Sequence, residues 1–203
     1  MKIAIVGATG FIGQPIFNEA VTRQHEVTAL VRNPNKVVPH KRVNALELNV
    51  QNGLELTKVL NGHDAAVISL HYENQNLPQL IQAIKASSIQ YTLFVGGAAS
   101  LEVAPGVQLF DTPEFPEQWK ATAGAARELL QILQGEKHFN WTYVSPSAFI
   151  EPGERTGKFR LGTDQLLIND RGESRISTQD FAVAVLDELE SPTHQHVRFT
   201  VGY

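Results

Sequence analysis

The sequence has no cysteine among its 203 residues, which excludes disulfides, thiolate catalysis and cysteine-bound zinc. It has no apolar run long enough to cross a bilayer, and its first residues lack the apolar stretch and cleavage site of a signal peptide. It also lacks an excess of basic charge, since the formal net charge is -4, whereas nucleic-acid scaffolds usually carry a basic face. These absences predict a cytoplasmic protein with no membrane segment and no nucleic-acid partner.

Two kinds of catalytic motif are missing as well. No Gly-x-Ser-x-Gly segment is present, so a serine hydrolase of that type is not expected. None of the seven histidines belongs to a His-Glu-x-x-His pattern, and we therefore predict no metal site.

The sequence does contain an alternation of strand and helix patterns. We predict strands at 2–6, 26–31, 44–48, 64–70, 91–95, 141–145 and 196–201, and helices at 11–23, 54–60, 77–87 and 117–134. A final helix follows Ser177, which stands three residues before Asp180 in a weak capping-box pattern. The alternation predicts an α/β fold, a doubly wound, mostly parallel Rossmann sheet with helices on both faces. No repeat or linker interrupts it, so we expect one NAD(P)-binding domain over 1–203.

Two long segments have no periodicity, 101–116 and 146–176. We expect them to be irregular, with short strands around 158–161 and 166–168. Both follow the carboxyl end of a predicted strand, where ligands bind in sheets of this kind. They are therefore expected to shape the substrate side of a site.

A glycine-rich turn joins the first strand to the first helix. Pyrophosphate binding needs a tight turn, a backbone free of side chains, and open amides at a helix start. Gly7 can make the turn, Gly10 permits close approach, and Gly13 lets the helix pack on the sheet. A glycine turn without a ligand is the alternative, but its place between strand and amphipathic helix favours dinucleotide binding. The predicted contacts are Gly7, Ala8, Thr9, Gly10, Phe11, Ile12 and Gly13.

The end of the second strand indicates which dinucleotide binds. A site for NAD places a carboxylate there for the ribose hydroxyls, but this strand ends in Arg32 and Asn33. Arg32 can make a forked contact with a 2′-phosphate, and Lys36 could help. Arg32 could instead cap the strand in solvent. The missing acid and the present base together favour NADP(H) over NAD(H).

Further cofactor contacts are expected after the other strands. Asn49 could hydrogen-bond an adenine edge while Val50 packs on the ring, although both could be plain turn residues. Pro146, after the sixth strand, could face the nicotinamide or only end the strand. The fourth and fifth strands lead to three more candidates: Leu70, His71 and Gly96.

The chain resembles the NmrA-like, atypical short-chain dehydrogenases/reductases, and within them the NAD(P)H-flavin reductases of bacteria. The resemblance spans the chain. It rests on the opening turn and on Val-Arg-Asn-Pro-Asn-Lys at 31–36, and on more specific segments at 96–102, 111–116 and 152–158. It implies a Rossmann fold and an oxidoreductase. In the superfamily a serine often follows the fifth strand, and Ser100 could bond a substrate carbonyl or only local backbone. Lys120 could reach the ribose or lie in solvent.

One feature of the superfamily is missing, the catalytic tyrosine with a lysine four residues later. The residues four after Tyr72, Tyr91 and Tyr143 are not lysines, and Tyr203 ends the chain. Hydride transfer to a ketone produces an alkoxide, which a positioned acid must protonate. A flavin or quinone instead spreads the negative charge over its rings, so a dedicated acid is less necessary. The sequence therefore predicts an NADPH-dependent reductase of a flavin or quinone-like acceptor. The alternative is a non-catalytic NADP(H)-binding redox sensor that regulates a partner protein.

Overall fold

The structure is a computed structural model that describes residues 1–203. The strands are β1 (Lys2–Val6), β2 (Glu26–Val31), β3 (Val43–Glu47), β4 (Ala65–Ile68), β5 (Tyr91–Val95), β6 (Glu102–Ala104), β7 (Val107–Gln108), β8 (Trp141–Ser145), β9 (Phe149–Glu151), β10 (Arg160–Gly162), β11 (Arg175–Ser177) and β12 (Arg198–Gly202). The helices are α1 (Gly13–Thr22), α2 (Gly53–Leu60), α3 (Leu77–Lys85), α4 (Lys120–Gln134) and α5 (Thr178–Glu190). None of the five helices has both the length and the apolar character to span a membrane.

The central sheet has eight strands in the order β10-β12-β8-β5-β4-β1-β2-β3. All neighbouring strands are parallel except the pair of β10 with β12. The chain runs outward from β1 through β2 to β3, then returns to place β4 on the other side of β1. This reversal makes a switch point between β1 and β4, where ligands bind at the carboxyl edge of such sheets. The predicted doubly wound, mostly parallel fold is confirmed.

Helices cover both faces of the sheet. One buried cluster joins α1 and α5 to residues of one face, and a second joins α2, α3 and α4 to the other. The central strands β4 and β5 are therefore fully buried, which explains why β4 is entirely apolar and β5 is apolar except for Thr92, rather than alternating. Side-chain oxygens of Asn52, Asn76 and Ser177 accept backbone N–H groups at the starts of α2, α3 and α5, as N-caps do.

The regular elements lie close to their predicted positions, with two differences. The predicted helix 11–23 begins at Gly13, because Gly10 N–H donates to the Gly7 carbonyl at 2.9 Å and the chain there forms a tight turn. Ser177 caps α5 as predicted, but the Asp180 carboxylate does not return the bond. It accepts instead from residues of the segment 152–158 and from Tyr203.

The segments predicted to be irregular contain short strands. The 101–116 segment holds the hairpin β6–β7, with Gly106 at φ 74° in its turn. In the 146–176 segment, β9 pairs with β11, which was not predicted. The strand expected at 158–161 is found as β10, but the strand expected at 166–168 is absent. Next to them, Glu102 and Gln165 form a single isolated β-bridge.

Candidate functional site

The turn after β1 has a conformation that only glycine can adopt at its first position. Gly7 has φ 83°, and its N–H donates to the Leu30 carbonyl at 2.9 Å. A Cβ at this position would lie 2.0 Å from the Ser69 carbonyl oxygen. Gly7 therefore places the turn directly at the switch point, between the ends of β1 and β4.

Gly10 and Gly13 have different surroundings. A Cβ on Gly13 would lie 2.0 Å from the Gly7 carbonyl oxygen, so the first turn of α1 sits tightly on the loop. A Cβ on Gly10 would meet only that same oxygen at 3.2 Å, and Gly10 is exposed. The fold thus needs glycine at Gly13, while at Gly10 the open side faces solvent.

The turn presents unused hydrogen-bond donors. No acidic residue lies in the first turn of α1, and open amides at a helix start attract anions. Thr9, Gly10 and Phe11 are exposed, whereas Ala8 belongs to the core. Five backbone N–H groups here donate to no acceptor in the protein, those of Ala8, Thr9, Phe11, Ile12 and Gly13.

Arg32 lies at the carboxyl edge directly after β2. It is exposed and takes part in no hydrogen bond or ion pair within the protein. The Asn33 side-chain oxygen accepts from Asn35 N–H at 3.1 Å and caps the short helical turn Pro34–Lys36. The guanidinium of Arg32 is therefore available to bind a ligand, whereas the Asn33 side-chain oxygen already accepts a hydrogen bond.

The loop after β3 is tied to the loop after β4. Asn49 Oδ1 accepts from Gln51 N–H at 3.1 Å, which leaves the Asn49 amide nitrogen without a partner. Gln51 in turn donates to the Asn74 carbonyl and accepts from Gln79, both at 3.2 Å. Val50 is half-buried against the core. These bonds fix the position of the residues predicted to hold the adenine.

The ends of β4, β5 and β8 form the other half of the carboxyl edge. Leu70 is half-buried against the core, and the His71 side chain is 80% exposed, with its Nδ1 3.8 Å from Glu73 Oε1. A Cβ on Gly96 would lie 2.0 Å from Cζ of Tyr143. Pro146 is buried directly after β8. The structure therefore brings the predicted residues to one edge, on either side of the switch point.

The hydroxyls of the four tyrosines all form hydrogen bonds within the protein. The buried Tyr72 hydroxyl lies 3.0 Å from the Ile68 carbonyl and 2.9 Å from the Val95 carbonyl, and burial raises its pKa well above the ordinary value. Tyr143 donates to the Ala126 carbonyl at 2.9 Å, and burial raises its pKa to about 12. Tyr72 and Tyr143 thus brace the strand ends at the carboxyl edge, a role that sequence reasoning missed.

The other two tyrosines bond to buried carboxylates. Tyr91 donates to Glu188 at 2.7 Å, and Tyr203 donates to Asp180 at 2.9 Å. Burial raises the pKa of both hydroxyls. Both hydroxyls are therefore already engaged in hydrogen bonds within the protein.

The two residues predicted to be catalytic differ in exposure. Ser100 is only 2% exposed, and its hydroxyl accepts from Arg198 Nη1 at 2.9 Å. A substrate contact would require that this bond be exchanged, and the catalytic role of Ser100 stays a prediction. Lys120 is exposed at the start of α4 and pairs with Glu117 at 2.6 Å. Its predicted contact with the ribose is likewise still a prediction.

The space above the carboxyl edge, between the turn after β1 and the segments after β5 and β8, is called the groove below, and three exposed aromatic residues belong to segments that begin or end at this edge. Phe11 in the glycine turn, Trp119 before α4 and Phe149 after β8 are 59%, 55% and 63% exposed. All three lie at the carboxyl edge, because β1 and β8 end there and α4 begins there. Each of them offers an exposed aromatic ring to a molecule bound at this edge.

Comparison with known proteins agrees with this geometry. Residues 7–192 match a protein family described as NAD(P)H-binding. The chain belongs to this family. Its sequence is 42% identical over 208 residues to the uncharacterized protein YwnB of Bacillus subtilis, covering 99% of this chain and 98% of YwnB.

Two solved structures are similar over the whole chain. A Bacteroides thetaiotaomicron protein, provisionally described as an epimerase, has 38% identity and a TM-score of 0.95, covering 100% of this chain and 96% of its own. A Streptococcus pneumoniae protein, provisionally described as an NADH-flavin reductase, has 34% identity and a TM-score of 0.82, covering 100% and 99%. These matches confirm the resemblance to NAD(P)H-binding reductases that the sequence motifs indicated.

Proposed function

We propose that this protein is an NADPH-dependent reductase that passes hydride to a flavin or quinone-like acceptor. The observation that carries the proposal is the carboxyl edge itself. Open amides, an unpaired arginine and exposed aromatic rings lie along it, whereas no tyrosine hydroxyl is available there. We propose further that this reductase acts as a single domain in the cytoplasm, with no metal.

The preference for NADPH rests on the end of β2. Arg32 has no partner in the protein, and a guanidinium makes charge-assisted, forked contacts with phosphate. β2 does not end in the carboxylate that would hold the two ribose hydroxyls of NADH. The open N–H groups at Thr9 and Phe11 would hold the pyrophosphate, and the free amide of Asn49 would meet the adenine.

The acceptor class follows from what the groove does not supply. Bound NADPH supplies a hydride, and a ketone that takes it needs a positioned acid for its alkoxide. The four tyrosines are buried or bonded elsewhere, so no Tyr/Lys pair gives that proton. An oxidised flavin or quinone accepts the hydride into its ring system and takes its proton from water. Phe11, Trp119 and Phe149 would offer flat apolar surfaces to such a ring.

A redox sensor without turnover is the second candidate, and the bonding of Ser100 and Lys120 favours it. Ser100 is hydrogen-bonded to Arg198, and Lys120 forms an exposed ion pair with Glu117. Both side chains already have partners, as expected if neither acts on a substrate. In this alternative the exposed 101–116 segment would contact a partner protein. Its affinity for that partner would differ between NADP⁺ and NADPH.

Acceptor-dependent oxidation of NADPH separates the two functions. The protein is mixed with saturating NADPH, then with FMN, FAD or a simple quinone, and absorbance of NADPH is followed. The reductase predicts steady oxidation that Gly10→Val abolishes, since a branched side chain would block the pyrophosphate. Ser100→Ala and Lys120→Ala should lower the rate only modestly. No oxidation above that of the Gly10→Val protein with any acceptor would contradict the reductase and favour the sensor.

A further inference from the structure

Arg198 is a nearly buried arginine that the proposed function does not yet use. It begins β12, and its side chain is only 7% exposed. A buried guanidinium is costly unless every bond is satisfied, and an apolar side chain of similar size often serves the fold as well. The groups that Arg198 contacts should therefore indicate why an arginine occupies this position in a buried sheet.

Arg198 joins two segments that are far apart in the sequence. Its Nη1 donates to both the carbonyl and the hydroxyl of Ser100, each at 2.9 Å. Its Nε donates to Asp164 Oδ1 at 3.1 Å, and its Nη2 bonds to the same oxygen. One guanidinium thus ties the turn after β5 to the chain that follows β10. Only the planar fork of arginine can make both contacts at once.

Backbone bonds continue this connection. Glu102 N–H donates to the Asp164 carbonyl, and Leu166 N–H donates to the Glu102 carbonyl, both at 2.8 Å. The hairpin β6–β7 and the segment 162–168 therefore form one unit, which we call the acceptor wall. Arg198 is the charged group at its base, where the wall meets the sheet.

The turn after β5 is held at both of its ends. At one end Gly96 rests on the ring of Tyr143. At the other end Ser100 is fixed by Arg198. The backbone between them, at Gly97 and Ala98, is half-buried and lies at the carboxyl edge on the side of the groove predicted to face the nicotinamide.

We propose that Arg198 is a positioning residue of the acceptor side of the groove. It does not touch the acceptor; it holds the 96–100 turn and the acceptor wall in one fixed arrangement, so that a flat acceptor is stacked against the nicotinamide. This inference rests on the proposed reductase function. The adenine and phosphate half of the groove lies on the other side of the switch point, and Gly96 is held separately by the ring of Tyr143. Loss of Arg198 should therefore leave dinucleotide affinity nearly unchanged.

The test compares three variants with the wild-type protein. Arg198→Lys keeps the charge but loses the fork, and Asp164→Asn removes the negative charge that faces Arg198, at a side chain that is 58% exposed. Arg23→Lys is the matched control, a partly buried arginine bonded to carboxylates at the opposite edge of the sheet. The measurements are the Kd for NADPH, the Kd for FMN with NADP⁺ present, the KM for the acceptor, and amide hydrogen exchange.

In Arg198→Lys and Asp164→Asn we expect the FMN Kd and acceptor KM to rise about tenfold or more, as misplacement near a reacting centre does. The NADPH Kd should stay within about twofold, since no phosphate contact changes. Amides at 98–109 and 162–168 should lose protection together. Arg23→Lys should change none of these values.

Two outcomes would overturn the inference while leaving the reductase intact. One is that the variants turn over with an unchanged acceptor KM although their amide hydrogen exchange increases. Arg198 would then have a structural role only. The other is loss of protection in one segment without the other. Conversely, a wild-type protein that binds FMN without turnover, with binding weakened in the variants, contradicts the reductase but not the role of Arg198. Absence of any FMN or quinone binding contradicts both.

Discussion

Arg32 is the residue on which the proposed preference for NADPH rests. In Arg32→Ala we expect NADPH affinity to fall by roughly 1.5–3 kcal/mol, the scale of a hydrogen bond to a charged group, while NADH affinity hardly changes. Calorimetric titration of both cofactors measures the difference. Arg32→Lys is the control, because it retains charge without the fork and should lose only part of the affinity. Equal losses for NADPH and NADH would contradict the assignment.

Gly10 and Gly13 are both glycines of the turn, but the structure separates their roles. Gly10→Val should abolish dinucleotide binding with a nearly unchanged melting temperature, because only the Gly7 carbonyl, at 3.2 Å, lies near the new side chain. Gly13→Ala should destabilise the fold by about 1–3 kcal/mol, as overpacking does, because its Cβ would lie 2.0 Å from that oxygen. Thermal unfolding and NADPH titration of the two variants distinguish them. If Gly10→Val lowers the melting temperature as well as abolishing NADPH binding, Gly10 has a structural role and the prediction is wrong.

At the scale of elements, two buried threonines on neighbouring strands give a matched pair. The Thr92 hydroxyl on β5 has no hydrogen-bond partner, whereas Thr142 on β8 bonds to Tyr91 and to the His194 carbonyl. We expect Thr92→Val to be neutral or stabilising. Thr142→Val should cost about 1–3 kcal/mol, since it leaves buried polar groups unpaired. Urea denaturation measures both, and equal effects would show that the two hydroxyls have similar surroundings.

The segment 152–158 shows how an irregular element is held in place. Arg155 donates two bonds to the buried Glu19 of α1, at 2.8 and 2.7 Å. The Thr156 hydroxyl and the Gly157 N–H donate to Asp180 of α5, at 2.6 and 2.8 Å. The segment is thus fixed across α1 and α5 by two carboxylates. The motif that resembles flavin reductases here has a structural role in this chain.

At the scale of the whole molecule, acid stability depends on buried carboxylates. Burial raises the pKa of Glu188, but hydrogen bonds from His194, Tyr91 and Thr193 outweigh it and hold the pKa below the ordinary value. Bonds from Arg155 lower the pKa of Glu19 in the same way, against its burial. A carboxyl whose folded pKa is depressed stabilises the fold above its unfolded pKa, and that stability is lost as pH falls through the folded value.

Stability should therefore fall below about pH 4.5, the ordinary value for these groups. Glu188→Gln should lower the free energy of unfolding at pH 7 by roughly 1.5–3 kcal/mol, as for bonds to charged groups, and flatten the decline toward pH 3. Glu128→Gln, at an exposed carboxylate on α4, should change neither. Denaturation between pH 3 and pH 7 measures this. A Glu188→Gln protein with an unchanged acid slope would contradict the role of Glu188.

The sequence by itself determined the parts of this protein whose causes are local. Gly7, Gly10 and Gly13 lie within seven consecutive positions between a strand and a helix, so their turn could be predicted from spacing. Arg32 could be placed because a residue that ends a parallel strand must lie at the carboxyl edge. The alternation of strand and helix patterns predicted the fold class because each strand and helix has its own local periodicity.

The tertiary structure alone decided which side chains near the groove are free to act. Ser100 appears available in the sequence, yet it is bonded to a residue 98 positions away, Arg198. Tyr143 was noticed only for lacking a lysine, yet its ring supports Gly96 from a neighbouring strand. The segments around 101–116 and 162–168 have no periodicity, and the partners that shape them come from distant elements. Such contacts depend on how strands are ordered in the sheet, which no local pattern records.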